Sequence, residues 1–507
     1  MFESLVSSFK KSIVLWIVCS LSFNSVIGQA DLDSLDQWVR SMHPAPFIRC
    51  GEQAWECQLE ETRQNWPGAS ELERLRLVNT LLMVLQDSHT SIAASEWVVN
   101  VEKEYGTLPI RWAIEGRALW VMDSGLPGLP NEVRVLSLNG IDAETVIEAS
   151  LDLACMEGPS WTAKSRFAAH NVTSWVMSVS ASDVLRIEWI DPESGLTKAG
   201  AFSAFPIRQA RGVWKPIWRP HQPVEWIFPD GSHLTRRDDR RESAIQERLQ
   251  HGGIGQPQTT TSWNGAATLK INTFGIVGWR RYSKRLYQGF NALESYDCPL
   301  IIDLRGNPGG VVDNIELLWY FFALDQAHLP QAMVFKQSNA TQRKIRKVYR
   351  GLHKRWIDRH VDSDPNALYV HTYAHLPLGK TDTIYYPMHE VTEAPFEGPI
   401  ALLIDGKSAS ASVSFAGVFQ ATKRGTIIGE SCLGPPQGTM GNLEWKTLPH
   451  SGIPIAISTA MIIAIETPNW ATTMPLQPDV LVPEPWRRDG LLDQEIESWI
   501  ERHSDYP

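Results

Sequence analysis

The stretch "GKSASASVSF", residues 406–415, sets four serines among small residues. A serine hydroxyl is a poor nucleophile at neutral pH. It becomes a useful one only with a base in hydrogen-bond reach and backbone N–H groups aimed at the developing oxyanion. The preceding "LLIDG" reads as a buried strand and turn, so one serine falls at a helix start, where free N–H groups point outward. That seat suits a capping serine equally well. Two other stretches supply what chemistry would need. In "LLMVLQDSHTSI", residues 81–92, His89 follows a helix and is the candidate base, although a lone histidine is as readily structural. In "IIDLRGNPGG", residues 301–310, a buried strand ends in a glycine-rich turn able to bring backbone N–H groups close to a ligand. Asp303 and Arg305 at that strand end read as a structural ion pair, because charges at such depth are paired.

Several other chemistries are excluded. No Gly-Lys-Ser/Thr follows the glycine turn, so it is not a phosphate loop. No Gly-x-Ser-x-Gly elbow surrounds Ser410. His371 and His375 have i, i+4 spacing in "HTYAH", but no glutamate follows the first histidine and the stretch reads as a loop, so no metal is expected. No cofactor signature stands out, and no paired CxxC spacing marks a zinc site. The net charge of −10 argues against a nucleic-acid partner, which needs a basic face.

These motifs need elements to hold them. At the N-terminus, Lys10 and Lys11 precede the apolar run "SIVLWIVCSLSF" and the small residues of "VIGQA". Residues 1–30 therefore read as a signal peptide, and the protein as periplasmic or secreted. In an oxidising compartment, Cys50 and Cys57 are spaced for a local disulfide. Residues 31–98 read as a helical segment carrying Asp87-Ser88-His89-Thr90, with leucines at helical spacing in "ELERLRLVNTLLMVL". Residues 99–205 are rich in short β-branched runs such as "EVRVLSLNG" and "DVLRIEWID", with a helical insertion near 155–178. Residues 206–262 form a Pro/Trp-rich connection containing the charge run "RRDDRRES". From residue 263 to 490, strands alternate with helices, the pattern of an α/β core with right-handed crossovers. An excursion at 331–395, with the basic helix "QRKIRKVYRGLHKRW", interrupts this core and is expected to act as a lid, a solvated decoration being the equal alternative. Residues 491–507 are a C-terminal tail.

The set resembles one family, the tail-specific or C-terminal processing proteases with their tricorn-like relatives. The resemblance rests on the order of four features: Asp87-Ser88-His89-Thr90, the Asp-Leu-Arg-x-Asn-x-Gly-Gly turn of Asp303 to Gly310, the Ser-Ala-Ser segment of Ser408 to Ser412, and "TIIGE". "LPHSGIPIAI" and "LQPDVLV" are similar to its closing strands, and "EVRVLSLNGIDAETV" to the turn of its PDZ-like module. The resemblance implies an α/β, crotonase-like or ClpP-like core with a PDZ-like β-rich module. It implies Ser410 as nucleophile, flanked by a turn serine, Ser408, and a cap serine, Ser412. Ala411 N–H and the N–H of Gly309 or Gly310 would form the oxyanion hole. The lysine base of the processing proteases is absent, because Pro435 follows "GESCLG". Ser88-His89 instead matches the Ser-His pair of the tricorn-like branch. Where that branch has a glutamate, this chain has Thr472, and Glu466 is the candidate third member. The expected activity is serine-type endopeptidase action on peptides or unfolded chains. The alternative is a catalytically inactive relative that binds peptides by adding a strand to a sheet edge.

Overall fold

The computed structural model describes residues 30–92, 94–207, 224–234, 263–275, 279–323, 332–385, 395–463, 474–483 and 490–503. The signal segment and Glu466 lie outside these residues. The chain is a mixed α/β protein with several sheets, divided into two compact units. Among the described residues no helix is long and apolar enough to cross a membrane.

The first unit combines residues 1–94, 333–384 and 440–461. Its helices Glu52–Asn65 and Glu71–Met83 follow an initial helix at 30–42. Ser70 and Glu73 form a capping box that fixes where the second of these begins. Leu75, Val78, Leu81 and Leu82 are its buried face, the leucine spacing visible in the sequence. The helix unwinds after Met83 into the Asp87–Thr90 turn, and Ser91–Ile92 then pairs antiparallel with Pro454–Ile457. Asp31 holds the chain before that strand, accepting from the N–H groups of His450 and Ser451 at 2.8 Å each.

The 331–395 excursion contains strand Ala332–Lys336, helices Asn339–Val348, Gly351–His360 and Pro365–His375, and strand Thr381–Tyr385. The expected single basic helix is two helices, broken at Tyr349 and Arg350 just before Gly351, whose φ of 58° suits glycine. "HTYAH" is helical rather than a loop. Asp364 caps that helix and Pro365 opens it, signals overshadowed in the sequence by the aromatic and histidine content. Cys50 and Cys57 are free thiols, so the expected local disulfide is not formed. Cys57 is exposed on helix Glu52–Asn65, and Cys50 is half-buried in the turn before it.

The second unit contains residues 95–332, 385–439 and 462–507. Among the described residues its main sheet has seven strands. Val480–Leu481, Thr426–Gly429, Ile400–Ile404, Leu300–Asp303 and Ala267–Ile271 run parallel in that order, and Val224–Ile227 and His233–Leu234 complete one edge antiparallel. The central strands are apolar on both faces because both are covered. Leu300, Ile302, Ile400, Leu402 and Ile404 face a core that includes Leu286, Ile315 and Phe415 from three helices. Ile301, Ala401, Leu403 and Ile428 face a second core. Helix Leu491–Glu501, within the segment read as a tail, closes that second core with Leu492, Ile496, Trp499 and Ile500.

The β-rich segment forms a separate antiparallel sheet, ordered Ile110–Glu115, Ala118–Ser124, Val133–Leu138, Val184–Ile190, Thr197–Ser203, with Ile141–Asp142 paired to the third strand. Helices Ala143–Leu151, Trp161–Ala168 and Val172–Ser180 occupy its long connection.

Candidate active site

Parallel strands Leu300–Asp303 and Ile400–Ile404 lie side by side, so their C-terminal ends deliver the glycine turn and the serine turn to one edge of the sheet. This is where α/β sheets hold their ligands. The serine turn begins at Asp405. Its Oδ1 accepts from the N–H groups of Gly306 at 2.9 Å and of Lys407 and Ser408 at 3.0 Å. Ser408 donates its hydroxyl to the Leu304 carbonyl at 2.9 Å and accepts the Asp405 N–H at 3.0 Å, the structural turn role expected of it.

Ser410 occupies the N-cap seat of helix Ala411–Ala421 yet makes no capping bond to it. Its backbone stands at φ 52°, ψ −117°, a conformation that L-residues rarely adopt. Strain of this kind persists only where the surroundings impose it, and it is concentrated at functional sites. The capping alternative therefore fails for Ser410. Ser412, the expected cap, lies inside the helix and donates to the Asn307 carbonyl at 3.1 Å. The N-terminus of the helix is left open beside Ser410.

Asn307 rivets the two turns together. Its carbonyl accepts from Ala409 N–H at 3.0 Å and from Ser412, while its side chain donates to the Ile271 carbonyl and accepts from Gly309 N–H, both at 2.8 Å. Gly309 is thereby pressed against Ser410. A β-carbon on it would lie 2.6 Å from Ser410 Cβ and Ala409 O, and 2.8 Å from Ala411 N. Because its N–H is already bound to Asn307, Gly309 is not an oxyanion donor; the candidate pair becomes Ala411 and Gly310. Among the described residues no acceptor takes either of those two N–H groups. Gly310 is fixed by its neighbours. Phe274 N–H donates to the Gly309 carbonyl at 2.9 Å, and Val311 N–H to the Phe274 carbonyl at 3.0 Å.

Beneath the glycine turn, Asp303 is fully buried and paired with Lys270 at 2.7 Å and Arg305 at 2.8 Å, the structural role read from the sequence. Burial pushes its carboxyl up, but the two cations more than offset this and hold it below the usual range. Beneath the serine turn, Glu430 accepts Gly406 N–H at 3.2 Å and forms a buried pair with Arg166. Lys407, half-buried on that turn, titrates at about 8. Burial is the largest cause; Arg111 and Arg166 push the same way, while Asp405 and Glu430 oppose it.

The Asp87–Thr90 turn, within the first unit, is built around Asp87, which is almost wholly buried. Its Oδ1 accepts His89 N–H at 2.9 Å, and its Oδ2 meets His43 Nε2 at 3.1 Å. Burial pushes this carboxyl up, and the hydrogen bond from His43, the neighbouring imidazoles and the Thr90 hydroxyl together hold it well below the usual range. His89 Nδ1 lies 3.3 Å from Ser88 Oγ and 3.7 Å from Asp87 Oδ1. Sequence reasoning missed His43, Asn307, Asp405, Arg166 and Glu430. A signal existed for two of them: Asp405 is a turn-forming residue directly after an apolar strand, and Asn307 lies in the Gly-Asn-Pro-Gly-Gly turn that follows another. None existed for His43, whose partner is distant in the chain.

Residues 265–479 match the model of peptidase family S41. The match supports a peptidase function and, with it, a peptide or protein substrate. In fold the chain is similar to mature CPAF complexed with lactacystin, at TM-score 0.59 and 13% identity over 94% of this chain and 98% of that one. The CPAF s499a mutant gives TM-score 0.59 and 12% identity, covering 94% and 97%. The photosystem II D1 C-terminal processing protease matches at TM-score 0.40 and 13% identity, covering 90% and 93%. No curated protein matches the sequence. The S41 region spans both turns of the candidate site, Asp303–Gly310 and Asp405–Ala411, while Asp87–Thr90 precedes it.

Proposed function

We propose that the chain is an exported serine-type endopeptidase of peptides or unfolded chains. Ser410 Oγ attacks the scissile carbonyl, and His89, with Ser88 beside it, takes the hydroxyl proton and returns it to the leaving amine. Ala411 and Gly310 N–H groups receive the negative charge on the tetrahedral oxygen. The observation that carries this reading is the pair of unengaged backbone donors beside a serine in a strained, uncapped seat. The base assignment rests on the Asp-Ser-His-Thr motif, and Glu466 is proposed as a further member. The same reading makes the 263–490 region a crotonase-like core, residues 99–205 a PDZ-like module that takes the substrate chain at a sheet edge, and 331–395 a cover that screens the substrate. Residues 1–30 would direct export.

A fluorophosphonate probe on the mature protein tests the proposal. Labelling of wild type and its loss in Ser410→Ala is the expected result. A properly folded wild type that is never labelled would leave the inactive peptide-binding relative as the better reading.

A further inference from the structure

We propose that His43 is a positioning residue of the reaction, acting through Asp87 on His89; this rests on the reading of His89 as the base. His43 is buried, 1% exposed, and Asp87 is 3% exposed. The tautomer of His43 follows from its partners. Ala45 N–H donates to His43 Nδ1 at 3.1 Å, so Nδ1 presents a lone pair and the proton sits on Nε2. That proton is donated to Asp87 Oδ2 at 3.1 Å. Both ring nitrogens are thus committed, and the imidazole is neutral.

A neutral donor has a specific consequence here. Asp87 is held in one rotamer from several sides: by His43, by the His89 N–H at 2.9 Å, and by Thr90, which itself accepts Ser458 N–H at 3.0 Å. An arginine or lysine in the place of His43 would fix the carboxylate equally well but cancel its charge. Neutral His43 fixes it and leaves the charge for His89, whose Nδ1 lies 3.7 Å from Asp87 Oδ1. When His89 takes a proton, the carboxylate is already aimed at the imidazolium, with no reorganisation left to make. Because the same carboxylate holds the His89 main chain, its rotamer also sets where the ring stands. The Asp87–His43 pair thus orients the His89 ring from within its own turn, whatever further member completes the site.

The test uses the full chain with His43→Gln, which keeps a side-chain N–H, and His43→Leu, which removes it. His89→Ala is the control for the underlying reading. A bound donor to a charged acceptor lost from this arrangement corresponds to a fall in kcat on the order of ten- to a hundredfold. The expected result is that fall in His43→Leu on a small ester, with KM unchanged, and recovery of most of it in His43→Gln. Unchanged kcat in a folded His43→Leu overturns the proposal, and so does an equal loss in both variants. Nitrogen-15 NMR of the wild-type histidines is independent of variant folding. An Nε2–H neutral signal for His43 is expected, and an Nδ1–H or doubly protonated ring overturns the assignment. If His89→Ala keeps full activity, the base reading itself fails and the proposal with it; if His89→Ala is inactive and His43→Leu is normal, only the proposal fails.

Discussion

Replacing Gly309 by alanine tests the geometry of the proposed nucleophile turn directly. Gly309 has φ of 92°, so any side chain there carries backbone strain of about 1–2 kcal/mol. The added β-carbon would also sit 2.6 Å from Ala409 O and Ser410 Cβ and 2.8 Å from Ala411 N. None of these is the end of a flexible side chain, so relief requires the two turns to separate by about 1 Å, a misplacement that can cost a reaction about a hundredfold. The movement opposes the Asn307 rivet and carries Ala411 N–H away from Gly310 N–H. Loss of one oxyanion donor alone is worth about 10²–10³ in kcat. The expected outcome is a fall of about 10²–10³ in the rate of fluorophosphonate labelling and of ester hydrolysis, with the protein still folded by circular dichroism. Gly306→Ala is the matched control. It too has positive φ, 75°, but nothing lies within 4 Å of its added β-carbon. It should melt slightly earlier and keep its activity. Wild-type rates in Gly309→Ala, or an equal loss in Gly306→Ala, would refute the assignment of this turn to the site.

Other consequences follow from the same contacts. His89→Ala should cut turnover by about 10²–10⁴ without loss of fold, measured by single-turnover ester hydrolysis. Lys407 titrates at about 8 in the folded chain against about 10.5 in the ordinary range, so its charge costs stability below pH 8, and the cost is relieved as pH rises from 8 to 10.5. Lys407→Met should stabilise the protein by up to about 3 kcal/mol at pH 7 and flatten that alkaline rise, read from denaturant midpoints across pH. Asp303 has its carboxyl below the usual range, so its contribution is present above the unfolded carboxylate value near pH 4 and is lost as pH falls through the lower folded value. Asp303→Asn removes the buried carboxylate shared by Lys270 and Arg305 and should cost about 3–5 kcal/mol in equilibrium unfolding.

What the sequence shows of this fold is what is local. The strands "LIID" and "IALLI" are short, β-rich in character and bounded by turn residues, so their identity and parallel pairing could be read before any coordinates. The start of helix Ala411–Ala421 is legible because a buried strand and a glycine turn come immediately before it. The excursion was harder. Its histidines and aromatics suggested surface loop, while the decisive marks were a cap at Asp364 and a proline at the first helical position. Site residues divide in the same way. That a serine of "SASAS" stands at a helix start is legible because strand, turn and helix meet within ten positions, while the choice of Ser410 comes from the family resemblance. Choosing between Gly309 and Gly310 could not be done from spacing, since adjacent glycines present N–H groups in different directions. The Asn307 side chain decides it by taking one of them.

The two halves of the proposed chemistry are prepared by different physical means. Around Ser410 the polar groups are backbone atoms, and they are held by side chains whose own demands are met: Asn307 bonds at its carbonyl, amide oxygen and amide nitrogen, and Asp405 with several N–H groups. Such donors carry no titratable charge, so their field on a developing oxyanion is constant over the working pH range. Around His89 the controlling group is a charge, the Asp87 carboxylate, and keeping it both buried and anionic requires several hydrogen bonds from neutral partners. Loss of a rivet on the serine side should therefore lower rates uniformly with pH. Loss of a donor on the histidine side should alter how readily the imidazole holds a proton. The contrast is measurable: the pH–rate profile of Gly309→Ala should be the wild-type curve scaled down, whereas that of Asp87→Asn should have its acid limb moved to lower pH, because an imidazolium without its carboxylate gives up its proton more readily. Superimposable, scaled profiles for both variants would show that Asp87 acts on the fold of its turn and not on the charge of His89.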